Sequence, residues 1–104
     1  MMSTQLAHMV FFKLKDNSAA ASTKLVAECF KYLKPHAGIA YFSAGTLARE
    51  LNREVNDQNF DVALHVVFND LKDHDYYQDS DMHNEFIANN KDNWEKVRVF
   101  DSHV

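Results

Sequence analysis

One cysteine, one proline and two glycines are all that this 104-residue chain holds of the residues that staple, break or loosen a backbone. A lone Cys29 excludes an internal disulfide and a thiol redox pair, and its place on the apolar side of a predicted helix makes it packing. So little glycine leaves no phosphate-cradling loop, and neither a G-x-S-x-G turn nor an H-E-x-x-H helix occurs. Nucleotide-binding and serine hydrolase classes therefore have no support. Basic residues are also short, eleven against fifteen acidic for a formal charge of -4, so the field repels a phosphate backbone and no nucleic acid partner is expected. No apolar run approaches the roughly 18 residues of a membrane span. The opening MMSTQLAH carries neither a basic leader nor an apolar stretch, so the expectation is a cytoplasmic protein with no membrane partner.

What is present is a core. Hydrophobic residues make up 46% of the chain and aromatics 12%, with no linker, repeat or low-complexity segment, which describes one domain over residues 1–104. A chain of this size buries roughly 65% of its unfolded surface. Alternation from Gln5 to Leu14 predicts a first strand, with His8, Val10, Phe12 and Leu14 on one side and Met9, Phe11 and Lys13 on the other. Asn17 or Ser18 can cap a helix running to about Lys34, in which Leu25, Cys29, Tyr32 and Leu33 recur at helical spacing and Pro35 is the stop. Ile39 to Leu47 reads as a second strand with Ile39, Tyr41 and Ser43 on one face, Ala40, Phe42 and Ala44 on the other, and a bulge at Gly45. The polar run Ala48 to Asn59 is a surface connection. Phe60 to Phe68 is a third strand, with Phe60, Val62, Leu64, Val66 and Phe68 facing one way and Asp61, Ala63, His65 and Val67 the other. Two short helices follow, from about Leu71 to Tyr77 and from about Asp81 to Asn90, and Lys96 to His103 closes the chain as a fourth strand.

This β-α-β-β-α-β order is the split βαβ, or ferredoxin-like, plan of the α+β class: a four-stranded antiparallel sheet with its helices on one face. The helices cover one side, yet Met9, Phe11, Phe42, Val67 and Phe100 are placed on the other. An apolar face of that extent calls for a cover. The patterning therefore predicts a homodimer in which two sheets pack face to face into a shared barrel, with His65 and Arg98 at or near the seam.

The segment Asp75 to Phe86, DYYQDSDMHNEF, can bring a phenol and an imidazole to one place. On one continuous helix Tyr77 and His83 would point apart, because side chains meet at spacings of three or four. Ser80 read as an N-cap breaks the helix, leaving Tyr77 at the end of one segment and His83 in the first turn of the next. The helix dipole then favours a neutral imidazole, while Asp79 and Asp81 favour a charged one. His83 could take a proton next to a carbonyl while the Tyr77 hydroxyl donates to the developing enolate oxygen. The plainer alternative is a core Tyr77 with its hydroxyl at the surface and a satisfied helix-start His83. His8, on a strand face of Val10, Phe12 and Leu14, is either the polar floor of a pocket or a hydrogen-bonded core histidine. Phe12, Tyr32, Phe86 and Trp94 can line a pocket for an apolar molecule or simply fill the core. Asp70, Asp73, Asp75, Asp79 and Asp81 lack the glycine and terminal glutamate of a calcium loop, and no zinc framework is present. They read as helix-capping, solvated charges with no metal site, and His36, His74 and His103 as surface groups.

The opening HMVFFKLKD, the third strand ending VVF before an Asp-rich helix, the YYQDSDMHNEF segment and the closing VRVFD together resemble the stress-responsive A/B barrel family, the dimeric α-β barrel or Dabb domains. The likeness spans almost the whole chain and implies a homodimeric ferredoxin-like barrel. A plant member closes a linear polyketide by aldol chemistry without metal or cofactor, using a Tyr and a His beside a pocket between sheet and helices. Tyr77 and His83 fall on those two positions at the same spacing, and His8 on a pocket histidine of the first strand. Ser80-Asp81-Met82-His83 stands where the family often has His-Pro-x-His, and Val62 where the cyclase has a second strand histidine. The expectation is a homodimer whose pocket, lined by His8, Phe12, Tyr32, Phe86 and Trp94, takes a small hydrophobic or aromatic carbonyl compound, with Tyr77 and His83 catalytic and no cofactor. A non-catalytic stress-associated dimer and a cofactor-independent monooxygenase are the other two readings.

Overall fold

The computed structural model describes residues 4–104; the first three residues of the MMSTQLAH opening lie outside them. The chain runs β1 (Leu6–Leu14), α1 (Ala19–Tyr32), β2 (Ile39–Thr46), β3 (Val62–Phe68), α2 (Leu71–Asp79), α3 (Asp81–Asn90) and β4 (Trp94–His103), with a 3-10 turn at Lys91–Asn93 leading into β4. Antiparallel pairings build one four-stranded sheet in the order β2-β3-β1-β4. This is the ferredoxin-like arrangement, with the second helical unit split in two.

The elements start and stop where their local chemistry dictates. The Ser18 hydroxyl accepts from the Ala21 N–H and opens α1, and Pro35 lies just beyond its end. The Asp70 carboxylate accepts from the Asp73 N–H and opens α2. Gly38, at φ +88°, turns the chain into β2, where any Cβ would collide with the Asp73 side chain on α2. The core lies between the sheet and the three helices. Val10, Phe12 and Leu14 of β1 and Val62, Leu64, Val66 and Phe68 of β3 meet Leu25, Cys29 and Leu33 from the α1 segment, Tyr77 of α2 and Phe86 of α3. Cys29 is fully buried, and its thiol is pushed up to about 12 by desolvation, so it packs and does not react.

Three expectations need correction. The bulge lies at Ala40, between Ile39 and Tyr41, and the ladder runs through Gly45 without a break. That extra residue turns Phe42 to the helix face opposite Val66, where its ring meets Phe30 of α1 at 5.2 Å. Phe42 is thus no part of the open face, and Tyr41, 58% exposed, takes that place. β3 begins at Val62, because Asp61 is used elsewhere: its carboxylate accepts from the Leu14 N–H at 2.8 Å and its own N–H donates to the Phe12 carbonyl. Phe60 therefore packs its ring on Phe11 at 5.1 Å, on the opposite side from Val62.

The open face then carries Met9, Phe11, Tyr41, Val67 and Phe100, with Phe11 and Phe100 rings 5.8 Å apart and Phe100 still 54% exposed. His65 and Arg98 share it; Ser43 meets His65, and Arg98 pairs with Asp57.

Candidate functional site

The α2–α3 junction is one residue wide. Ser80 ends α2 and caps α3, its hydroxyl oxygen accepting from the His83 N–H at 3.1 Å. The same hydroxyl meets His36 Nε2 at 2.6 Å, while His36 Nδ1 donates to the Leu33 carbonyl. Ser80 thereby ties three segments together and turns Tyr77 and His83 toward each other, with their ring centroids 4.8 Å apart. His36 packs against Tyr77 from one side at 4.9 Å and Phe68 from another at 4.9 Å.

Between β1, β3 and β4 below and α2 and α3 above lies a cavity of 150 Å³. His8, Phe12, Tyr77, His83, Phe86 and Trp94 line it, as do Gln78 and several aliphatic side chains. Tyr32 does not: its hydroxyl sits at the surface and accepts from the Asn89 amide. Val97 and Val99 of β4 also line the cavity while 38% and 49% exposed, so the mouth opens past the free edge of the sheet. Val62, fully buried, is not on the wall.

The wall is apolar except at a few points, and three of those are unsatisfied. The Tyr77 hydroxyl, His83 Nδ1 and Trp94 Nε1 are buried with no hydrogen-bond partner. An orphaned buried group costs about 1–3 kcal/mol, so the residues around this cavity carry a polar cost that the rest of the core does not. Burial raises the Tyr77 phenol well above its ordinary range and keeps it a donor. Desolvation first, then the neighbouring His36, His8 and His74, lower His83 to about 4, so the imidazole is neutral at pH 7. Asp79 and Asp81 do not reverse this, which resolves the contest that the sequence left open.

His8 is buried, and burial lowers its pKa against the opposing pull of Asp101. Its Nδ1 donates to the Asp101 carboxylate at 2.5 Å, and its Nε2 faces the Gln78 amide at 3.4 Å. Asp101 went unnoticed in the sequence because only the β1–β4 register places it opposite His8. His36 and His74, read as surface groups, are both half-buried around this site, whereas His103 is exposed as expected. His74 lies on α2 with its ring 5.2 Å from His8. The clue was its spacing of three from Tyr77, which puts both on one helix face. A larger cavity, of 410 Å³, lies between the start of α1 and the 3-10 turn; its Asp16, Ser18 and Asn93 are already bonded to one another or to the backbone.

A β2-β3-β1-β4 antiparallel sheet under helices, with a cavity between the layers, defines a ferredoxin-like α+β protein. The Stress Responsive A/B Barrel Domain model matches residues 6–104, and the chain belongs to that family. A Dabb family protein with a ferredoxin-like fold from Mesorhizobium loti is 19% identical, with TM-score 0.79 and 96% of each chain covered. A dimeric ferredoxin-like protein of unknown function from Thermobifida fusca is 13% identical, with TM-score 0.79 over 98% of this chain and 92% of that one. A hydroxynitrile lyase from Passiflora edulis is 20% identical, with TM-score 0.77 over 97% of this chain and 94% of that one. At such identities these structures share the fold. No curated protein matches the chain.

Proposed function

We propose that the protein is a homodimer whose cavity binds a small, mostly apolar carbonyl compound or its adduct, with Tyr77 and His83 acting on it as an acid–base pair. The observation that carries this reading is that Tyr77, His83 and Trp94, each with a buried polar atom that has no hydrogen-bond partner, line one mostly apolar cavity. A carbonyl oxygen accepts from the Tyr77 hydroxyl, and the neutral His83 takes a proton from the carbon or hydroxyl beside it. Water exclusion by Phe12, Phe86 and Trp94 strengthens both interactions. His8, held by Asp101, stands at the cavity floor as a further polar contact.

Volume bounds the ligand. An apolar cavity of about 150 Å³ is the size that holds a benzene ring, which favours one ring or a short chain over an extended polyketide. A hydroxynitrile, the substrate class in the name of the Passiflora edulis relative, is a carbonyl adduct and fits the same chemistry. The cavity opening at Val97 and Val99 counts against an interior filled entirely by its own side chains. For the dimer, the support is the apolar open face together with the dimeric Thermobifida fusca relative.

The test is proton exchange. Acetophenone in D2O, followed by NMR, should lose its methyl protons faster with the protein than in buffer. Tyr77→Phe and His83→Ala should each slow the catalysed exchange by about a hundredfold. A wild-type rate equal to the buffer rate would remove the acid–base role.

A further inference from the structure

We propose that His8, His74 and Asp101 form a binding site for one divalent transition-metal ion of the zinc type. One donor atom from each of the three lies within 4.8 Å of the others. They come from three different elements, β1, α2 and β4, so the cluster is a product of the fold. Two imidazoles and one carboxylate suit zinc and its neighbours in the first transition row, and not calcium or magnesium, which take oxygen ligands.

The surroundings are those a metal-binding imidazole needs. Ligating histidines use their second ring nitrogen to hold an outer partner that fixes the tautomer. His74 already does so, with Nδ1 meeting the Asp75 carboxylate at 3.0 Å and Nε2 left to ligate. Gln78, one helical turn after His74, meets the other ring nitrogen of His8 at 3.4 Å. Binding through His8 Nδ1 shifts its proton to Nε2, where the Gln78 amide, turned over, accepts it through its oxygen. Tetrahedral donors at bond lengths of about 2.0–2.2 Å stand roughly 3.3 Å apart. His8 and Asp101 must therefore open slightly from their direct contact, and Asp101 lies at an exposed edge where it can move. Exposure rises from buried His8 through half-buried His74 to exposed Asp101, so the remaining coordination position faces solvent.

The site shares His8 with the cavity, but His74 and Asp101 do not line the cavity and neither Tyr77 nor His83 is a ligand, so metal binding and carbonyl binding are measured by different variants. Tag-free protein stripped with EDTA and titrated calorimetrically with zinc chloride should take up one ion per subunit. His74→Ala and Asp101→Asn should each weaken binding by about tenfold or more, while His103→Ala, on the exposed end of β4, should leave it unchanged. Cobalt should give the visible absorption of a four-coordinate ion, lost in the same two variants. Circular dichroism shows whether each variant is folded, and His74→Ala alone is decisive if Asp101→Asn is not. Zinc binding weaker than about 100 µM, or equal binding by wild type and His74→Ala, overturns the proposal. Acetophenone exchange measured in EDTA, with His8 free of metal, tests the carbonyl reading apart from metal binding.

Discussion

Tyr77 bears the conflict between stability and use most directly. Its ring is fully buried among Phe68, His36 and His83, yet its hydroxyl finds no partner. Tyr77→Phe keeps the packing and removes the orphan, so it should stabilise the ligand-free protein by about 1 kcal/mol, a rise in Tm of roughly 4 °C for a domain of this size. A fall in Tm would mean that the hydroxyl is satisfied within the native assembly. His83 and His8 carry the pH dependence. Both are lowered from 6.5, His83 to about 4, so the unfolded chain binds protons in that window that the folded chain refuses. Stability is thus fully present above pH 6.5 and declines as the pH falls toward 4. Thermal melts across that range should show the decline, and His83→Asn should flatten it. A flat wild-type profile would contradict the burial assigned to these two rings. At this scale the sequence was legible for Tyr77 and His83, because Ser80 between them is a local signal. It was silent on Asp101 and gave for His74 only the spacing from Tyr77, because their partnership with His8 exists only once β1, β4 and α2 are packed.

Among the elements, the α2–α3 junction sets the geometry. Ser80 caps α3 and touches the Tyr77 carbonyl and His36, so one side chain holds three segments in register. Ser80→Ala should cost about 1–2 kcal/mol in chemical unfolding and weaken ligand binding through lost alignment of Tyr77 with His83. A loss of stability with unchanged binding would show that packing alone orients the pair. β1 was readable because buried and part-buried residues alternate without a break from His8 to Leu14. β2 was not, because the bulge at Ala40 resets the alternation and nothing in Ile39-Ala40-Tyr41 announces it. β3 began late for a similar reason: Asp61 fits the alternation but spends its carboxylate on the Leu14 N–H, which only the tertiary fold supplies.

For the whole molecule, the sheet has two apolar faces and the helices cover one. Met9, Phe11, Tyr41, Val67 and Phe100 are left on the other, and the proposed homodimer covers them with a second copy of the chain. Sedimentation at micromolar concentration should give the mass of two subunits, and Phe100→Asp, exposed on the edge strand β4 of that face, should give one. A monomeric wild type would leave this surface to another partner. Among the described residues no helix is long and apolar enough to cross a membrane.

The cavity claim reduces to a single discrimination: a carbonyl against its hydrocarbon counterpart. Calorimetric binding of acetophenone and of ethylbenzene, two molecules of nearly equal size, isolates the contribution of the orphaned donors. The expected result is that wild type prefers acetophenone by about tenfold, a hydrogen bond's worth of roughly 1.4 kcal/mol, and that Tyr77→Phe binds the two alike. Equal affinities in the wild type, or a preference that survives in Tyr77→Phe, would contradict it.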